Sequence, residues 1–301
     1  MTPTTQTHHL RRPVPHALAE RLGKTEALDA PAQRLAGIVR KVLKPGAVKD
    51  LLSGTFLGHP LHPMLTDIPI GTWTSAVILD LVGGRESQRA ADLLIGTGVA
   101  AALPTAASGY SDWADTVQGN PSARRVGLVH AASNVSALAL YSASLIARRR
   151  GRRGRGVALA LSGLGALGLG GHLGGHLAYA EAVGVDQTAF DSLPEEWTPT
   201  LGETMLGDGQ AIKVEVGDVP VLLTRQAGQI FAIHDRCSHR GGPLHEGEIA
   251  DGCVTCPWHG SRFSLADGSV RRGPASMPQP AFETRIASGT IEIRALLPDG
   301  A

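Results

Sequence analysis

Hydrophobic residues are unevenly spread along this 301-residue chain and crowd into the stretch from about Leu61 to Val185. Four apolar runs stand out there: about Leu61–Val82, Ala90–Tyr110, Val126–Ala147 and Val157–Ala180. Each approaches the ~20 residues a helix needs to cross the hydrocarbon core of a membrane. The runs are rich in Ala, Gly, Ser and Thr, which let helices pack closely in lipid. A soluble bundle of buried, Ala-rich helices is the competing reading. Because the fourth run has almost no polar face and the third ends in a dense arginine cluster, membrane spans are expected.

From about Trp197 the pattern changes. Short β-rich runs follow one another: Ala211–Val216, Val219–Arg225, Gln229–His234, Phe282–Ile286 and Thr290–Arg294. Gly, Asp and Pro turns separate them, as an all-β unit requires. The predicted fold is therefore multidomain, an all-α four-helix transmembrane bundle followed by an all-β domain. The expected divisions are a basic N-terminal arm over 1–54, the helical domain over 55–185, an acidic linker with two prolines over 186–200, and the β domain over 201–301. The arm lacks a signal-peptide layout. Leu35, Ile38, Val39, Val42 and Leu43 fall on one helical face, so part of the arm fits a basic amphipathic helix on the membrane surface. A disordered arm is the alternative.

Average composition conceals this division. With 43% hydrophobic residues, 4% aromatic and a net charge of +1, the chain reads as an ordinary soluble protein until it is read by position. No Gly-rich nucleotide fingerprint follows a strand, so a built-in NAD or flavin site is not expected. Membrane lipid is an expected partner and nucleic acid is not.

The candidate chemistry lies in Cys237-Ser-His239 and Cys256-Pro-Trp-His259, a C-x-H and a C-x-x-H separated by sixteen residues. C-x-x-H alone could belong to a zinc site. A zinc finger would not normally continue into Gly260-Ser261 and a Gly273-Pro274 loop. The layout resembles the Rieske family, whose [2Fe–2S] cluster has two histidines in place of two cysteines. The resemblance implies that Cys237 and Cys256 hold one iron and His239 and His259 the other. Gly241, Gly242 and Gly260 suit loops whose backbone approaches a cluster closely. Cys253 makes a C-x-x-C with Cys256 but falls outside both loops, and reads as a small buried side chain.

Relatives of high potential carry an extra Cys in each loop, and a Ser and a Tyr that hydrogen-bond the cluster region. Here Gly242 and Trp258 stand near the first two places. Ser261 is present, and Phe263 stands where the Tyr would be. Fewer hydrogen bonds to sulfur imply a lower potential, so the resemblance points to the Rieske ferredoxin branch or something intermediate. The chain ends about forty residues after His259. An electron carrier without a built-in oxygenase iron site is expected.

The helical half resembles an uncharacterised bacterial four-helix membrane family. The residues carrying the likeness are Gly58-His-Pro-Leu-His62-Pro-Met-Leu, Pro69-Ile-Gly71-Thr-Trp73 and Asp80-Leu. A multi-pass protein of a bacterial cell membrane is implied.

Four spans place both termini on one side. His59, His62, His130, His172 and His176 are then expected to gather at the leaflet where the β domain emerges. Intramembrane polar residues tend to face the bundle interior and mark function. These histidines could ligate a haem b or another metal, line a quinol pocket, or serve only as hydrogen-bonding groups, with Asp67 and Asn134 as supporting partners. The connections opposite them carry eight arginines, six in Arg148–Arg155 and two in Gly83–Arg89. The positive-inside rule makes that side cytoplasmic and places the β domain outside, although Lys41, Lys44 and Lys49 argue the other way.

The function read from sequence is single-electron relay through a membrane-bound Rieske cluster, coupled to haem or quinol and to a redox protein partner. One alternative is a membrane-tethered Rieske ferredoxin serving a separate oxygenase or reductase. Another is a redox sensor.

Overall fold

The computed structural model describes residues 13–296; the first part of the basic arm lies outside the described residues. Among the described residues, seven α-helices precede ten strands. The first three helices are short: α1 (Val14–Gly23), α2 (Asp29–Val42) and α3 (Ala47–Ser53). They pack across one end of the bundle. In α2, Ala32 and Ala36 are buried, and Leu35 and Val39 pack beside Tyr110, Trp113 and Leu128. Ile38 and Val42 stay exposed. The apolar face read from sequence is thus divided between the bundle and the outside.

Four long helices follow: α4 (Leu61–Val82), α5 (Gln88–Ala114), α6 (Pro121–Arg149) and α7 (Arg153–Tyr179). Even the shortest, of 22 residues, is about 33 Å long at ~1.5 Å per residue, enough to cross a bilayer core. All four are long and apolar enough to cross a membrane, and only 22–33% of each span's most apolar stretch is buried inside the protein. Ile78, Leu81, Leu93, Leu103, Ile146 and Leu169 point outward, as side chains facing lipid do. Helix α6 begins at Asn120, whose side chain accepts from the Ala123 amide at 3.0 Å, followed by Pro121, which suits a first turn.

The bundle is two hairpins, α4–α5 and α6–α7, which meet along α5–α6 and α4–α7. Small side chains at the contacts (Ala76, Ala91, Ala102, Ala137, Ala160) bring the backbones close. Between them Trp73 and Tyr141 stack, ring centres 4.3 Å apart and planes 11° off parallel. At the end away from the β domain, Arg148 and Asp80 form a buried ion pair. Arg148 also reaches Asp92 at 3.0 Å, and Arg153 reaches Asp80 at 2.7 Å and Asp92 at 3.1 Å. By position in the sequence Arg148 belongs to the charged connection, but its side chain is 1% exposed.

The β domain holds a six-stranded antiparallel sheet, ordered β1 (Thr198–Gly202), β10 (Thr290–Ala295), β9 (Ala281–Ala287), β4 (Gln229–His234), β3 (Val219–Gln226) and β2 (Ala211–Val216). A second, four-stranded sheet runs in chain order through β5 (Glu248–Ala250), β6 (Cys253–Thr255), β7 (Arg262–Ser264) and β8 (Val270–Arg272). Val221, Leu223, Ile291 and Ile293 build one core. Leu222, Ile233, Leu244 and Phe263 build the other, beneath the two Cys/His loops. The opposite faces of β3 thus serve different cores, as the two-residue period of a strand requires. Cys253 lies in β6, buried, as expected.

Candidate redox site

The first Cys/His loop joins β4 to β5 and the second joins β6 to β7. Each is pinned by backbone hydrogen bonds: Cys237 N to Gly242 O at 2.9 Å and Gly241 N to Cys237 O at 2.8 Å in the first, Cys256 N to Ser261 O at 2.8 Å and Gly260 N to Cys256 O at 3.0 Å in the second. Gly241 and Gly260 take φ of +75° and +77°, left-handed values that favour glycine. Gly242 answers to a different need, since a Cβ there would lie 2.9 Å from Cys256 Sγ.

The four side chains converge two by two. The Cys237 thiol donates to Cys256, which pushes Cys237 up and holds Cys256 down to about 7. Backbone N–H groups of His239 and Arg240 point at the Cys237 sulfur, and those of Trp258 and His259 at the Cys256 sulfur. The imidazoles of His239 and His259 lie 5.2 Å apart, planes 89° from parallel. Burial pushes both down, His259 to about 4, which favours the neutral form that binds metal. His259 Nε2 is buried without a hydrogen-bond partner. Among the described residues no three His, Cys, Asp or Glu side chains gather on one ion. Thiols within a shell of N–H donors, opposite neutral imidazoles, are a donor set that fits a two-iron cluster. Ser261, also named above, accepts from the Ala275 amide at 2.9 Å, which leaves its hydroxyl hydrogen to donate.

The two loops face the helical domain. Asp115, just past α5, lies 3.7 Å from His239 Nε2 and pairs with Lys49 of α3 at 2.8 Å. Lys49 also donates to the Ser111 carbonyl at 2.8 Å. Arg240 reaches the Asp112 carbonyl at 3.5 Å, Thr55 donates to the Ala275 carbonyl at 3.2 Å, and Trp258 packs over Gly119. Only 12% of the His239 side chain remains exposed. Lys49 entered above only as a charge bearing on topology, and Asp115 and Arg240 carry no motif that marks them. A carboxylate just beyond a membrane span and a lysine in a short amphipathic helix were the available signals. Neither indicates its partner.

Beneath His239 and Arg240 lies a largely apolar cavity of about 530 Å³, walled by all four long helices. Of the five histidines, His62 and His130 enter it, ring centres 6.4 Å apart. Asn134 lies over His130, its Nδ2 3.2 Å from Nε2, and donates to the His130 carbonyl at 3.0 Å. The other three histidines go elsewhere. His59 and His172 are exposed. His176 packs against His16, ring centres 5.3 Å apart, with Glu181 at 3.7 Å. Asp67 is exposed.

A β domain with two facing Cys/His loops, seated on a bundle of apolar helices, defines an iron–sulfur electron-transfer protein of the membrane. Residues 196–283 match the Rieske [2Fe-2S] domain, and the chain belongs to that family. Residues 58–187 match a predicted membrane protein family, DUF2231. The anthranilate 1,2-dioxygenase ferredoxin subunit of Burkholderia cepacia is 35% identical over 100 residues, 33% of this chain and 91% of that protein. Apoptosis-inducing factor 3 of Mus musculus is 36% identical over 90 residues, 30% of this chain but only 15% of its own length. Among solved structures, a chain from the complex of reduced oxygenase and oxidized ferredoxin in carbazole 1,9a-dioxygenase is 25% identical, with a TM-score of 0.33; the match covers 35% of this chain and 99% of that one.

Proposed function

We propose that this chain is a membrane-bound electron carrier whose cluster exchanges single electrons with a redox partner seated in the helical cavity. Cys237 and Cys256 would hold one iron, His239 and His259 the other. Such a cluster, when bound, takes up and releases one electron at a time. The observation carrying this reading is that His239 stands in the wall of the same cavity as His62 and His130. A haem or a quinol in that cavity, the occupants read from sequence, would lie within reach of both His62 and His130 and of the cluster's histidine edge. Asp115 and Lys49 position His239, and the loop cation Arg240 closes the roof. The working divisions remain 1–54, 55–185, 186–200 and 201–301. The β domain is proposed to lie outside the cell membrane, because Arg85, Arg89, Arg149, Arg150, Arg152 and Arg155 cluster at the opposite end.

The test uses full-length protein in detergent, with the cluster followed by its EPR signal. Reduction by a lipophilic donor such as duroquinol should slow at least ten-fold in His62→Ala and His130→Ala, while direct reduction by dithionite is unchanged. Wild-type rates in both variants would leave the second reading, in which the helices only anchor a ferredoxin for a separate oxygenase or reductase. The likeness to a dioxygenase ferredoxin subunit favours that alternative.

A further inference from the structure

The two helical hairpins repeat one pattern. The Nδ1 of His62 on α4 lies 3.0 Å from the Thr105 carbonyl on α5; the Nδ1 of His130 on α6 lies 2.8 Å from the Gly170 carbonyl on α7. Four residues beyond each carbonyl is a glycine that makes room for the ring. A Cβ at Gly109 would come 2.6 Å from His62 Cε1, and one at Gly174 would come 3.1 Å from His130 Cε1. Eleven residues after each histidine is an aromatic residue, Trp73 or Tyr141, and these two stack on each other. Seven residues before each carbonyl, Gly98 and Gly163 lie against those rings. Eighteen residues after each histidine stand Asp80 and Arg148, which form an ion pair. Equal spacings with matched contacts describe an internal duplication about an axis along the bundle, and equivalent side chains meet across it. Parallel repeats about the membrane normal are an established membrane architecture.

We propose that His62 and His130 are the two axial ligands of one b-type haem centred on this pseudo-two-fold axis, in the cavity beneath His239. The inference rests on the proposed function, in which that cavity holds a redox partner, and names the partner. Each Nδ1 is engaged by a carbonyl, which fixes the ring and directs Nε2 toward a metal; the Asn134 amide, 3.4 Å from Nδ1 and 3.2 Å from Nε2 of His130, lies over that ring's face rather than in its plane. Two imidazoles on opposite sides of one metal ion, each about 2.0–2.1 Å away through nitrogen, put their ring centres roughly 6.3 Å apart. The observed separation is 6.4 Å. A quinol headgroup hydrogen-bonded between them would hold the rings roughly 10 Å or more apart.

Ligand number points the same way. No third His, Cys, Asp or Glu joins the pair among the described residues. A zinc or copper ion held by protein alone needs more, whereas haem brings four nitrogens and asks for two. Small side chains from all four helices, including Thr66, Ala106, Ala131 and Gly171, leave space for a flat macrocycle, and the volume lies within the ~300–1,000 Å³ of ligand sites. At the roof Arg240 has a buried Nε without a hydrogen-bond partner and faces the Asp112 and Asp115 carboxylates, so the charge there is mixed.

Full-length protein in detergent is titrated with haemin and followed by absorbance and EPR. The expected result is one haem per chain with a six-coordinate, low-spin spectrum. Because the imidazole planes are 84° apart, the ferric EPR signal should be the strongly anisotropic low-spin type given by perpendicular ligands. His62→Met and His130→Met should each lose that signal or bind haem at least ten-fold more weakly. His59→Ala and His172→Ala should match wild type, and the Rieske EPR signal should persist in all four. Absence of haem uptake by the wild type, or an unchanged haem spectrum in both His62→Met and His130→Met, overturns the assignment. If haem is absent but duroquinol still reduces the cluster through His62 and His130, the haem fails and the cavity's redox role stands. If haem is absent and neither histidine affects reduction, both fail.

Discussion

The two halves of this molecule carry their chemistry differently. In the β half, the four candidate ligands lie within 23 residues on two short loops, and a local hydrogen-bond frame orients them. In the helical half, the paired histidines are 68 positions apart, and each is oriented by a carbonyl on a neighbouring helix. One site is built by loop geometry and the other by symmetric packing. Local damage should therefore abolish the first outright, whereas the second should fail through single contacts made between helices.

The largest expected effect is on the loops. Cys256→Ser should eliminate the [2Fe–2S] EPR signal and leave iron near zero per chain, with the helices still extracted in the membrane fraction. Loss of the helices from that fraction would show that the halves do not fold separately. Next comes the far end of the bundle. Arg148→Leu leaves Asp80 buried beside a single remaining cation, and breaking a buried pair costs about 3–5 kcal/mol. Thermal unfolding in detergent should show this as a marked fall in midpoint, and Asp80→Asn in the same chain should recover part of it. An unchanged midpoint would mean that water reaches the pair. A third effect concerns the loops again: His259→Cys replaces a neutral ligand by an anionic one and should keep a cluster while moving its potential toward the about −400 mV of all-cysteine ferredoxins. Redox titration gives the sign directly. The contact between the halves is weaker. Thr55→Val removes one interdomain hydrogen bond, worth about 1 kcal/mol, and should modestly speed proteolysis of the segment between the domains. Smallest of all, Cys253→Ser should leave the cluster spectrum as it is; a changed spectrum would bring β6 into the site.

The same contrast governs what could be read beforehand. The expected run Leu61–Val82 coincides with α4, and Ala211–Val216 and Gln229–His234 coincide with β2 and β4. Apolar length and two-residue alternation are local properties, so periodicity recovers them. The three-residue strands β5 to β8 left little pattern to read. Gly242 was legible as a close approach, although its neighbour is the Cys256 sulfur. The five histidines illustrate the limit. Counting spans placed them at one end, but the rotation of each helix about its own axis decided that His62 and His130 face inward while His172 faces out; His59 lies in the turn before α4 and is exposed there. That rotation is set by small residues on the partner helix, Gly109 and Gly174 among them. The duplication was present in the spacings from the start, yet so few residues are identical that it emerges only when contacts are compared.

The buried charges at the far end bear on how the chain is made. The α4–α5 hairpin carries Asp80 and Asp92; the α6–α7 hairpin carries Arg148 and Arg153. Alone in lipid, the first would present two carboxylates and the second two guanidiniums. Each charge near the centre of a span would cost several kcal/mol, and less toward the interface. Together they neutralise each other. Each hairpin therefore carries the counter-charge that the other lacks. A chain ending after α5 would keep Asp80 and Asp92 without their guanidinium partners, so the α4–α5 hairpin should be less stable alone in the membrane than within the whole bundle.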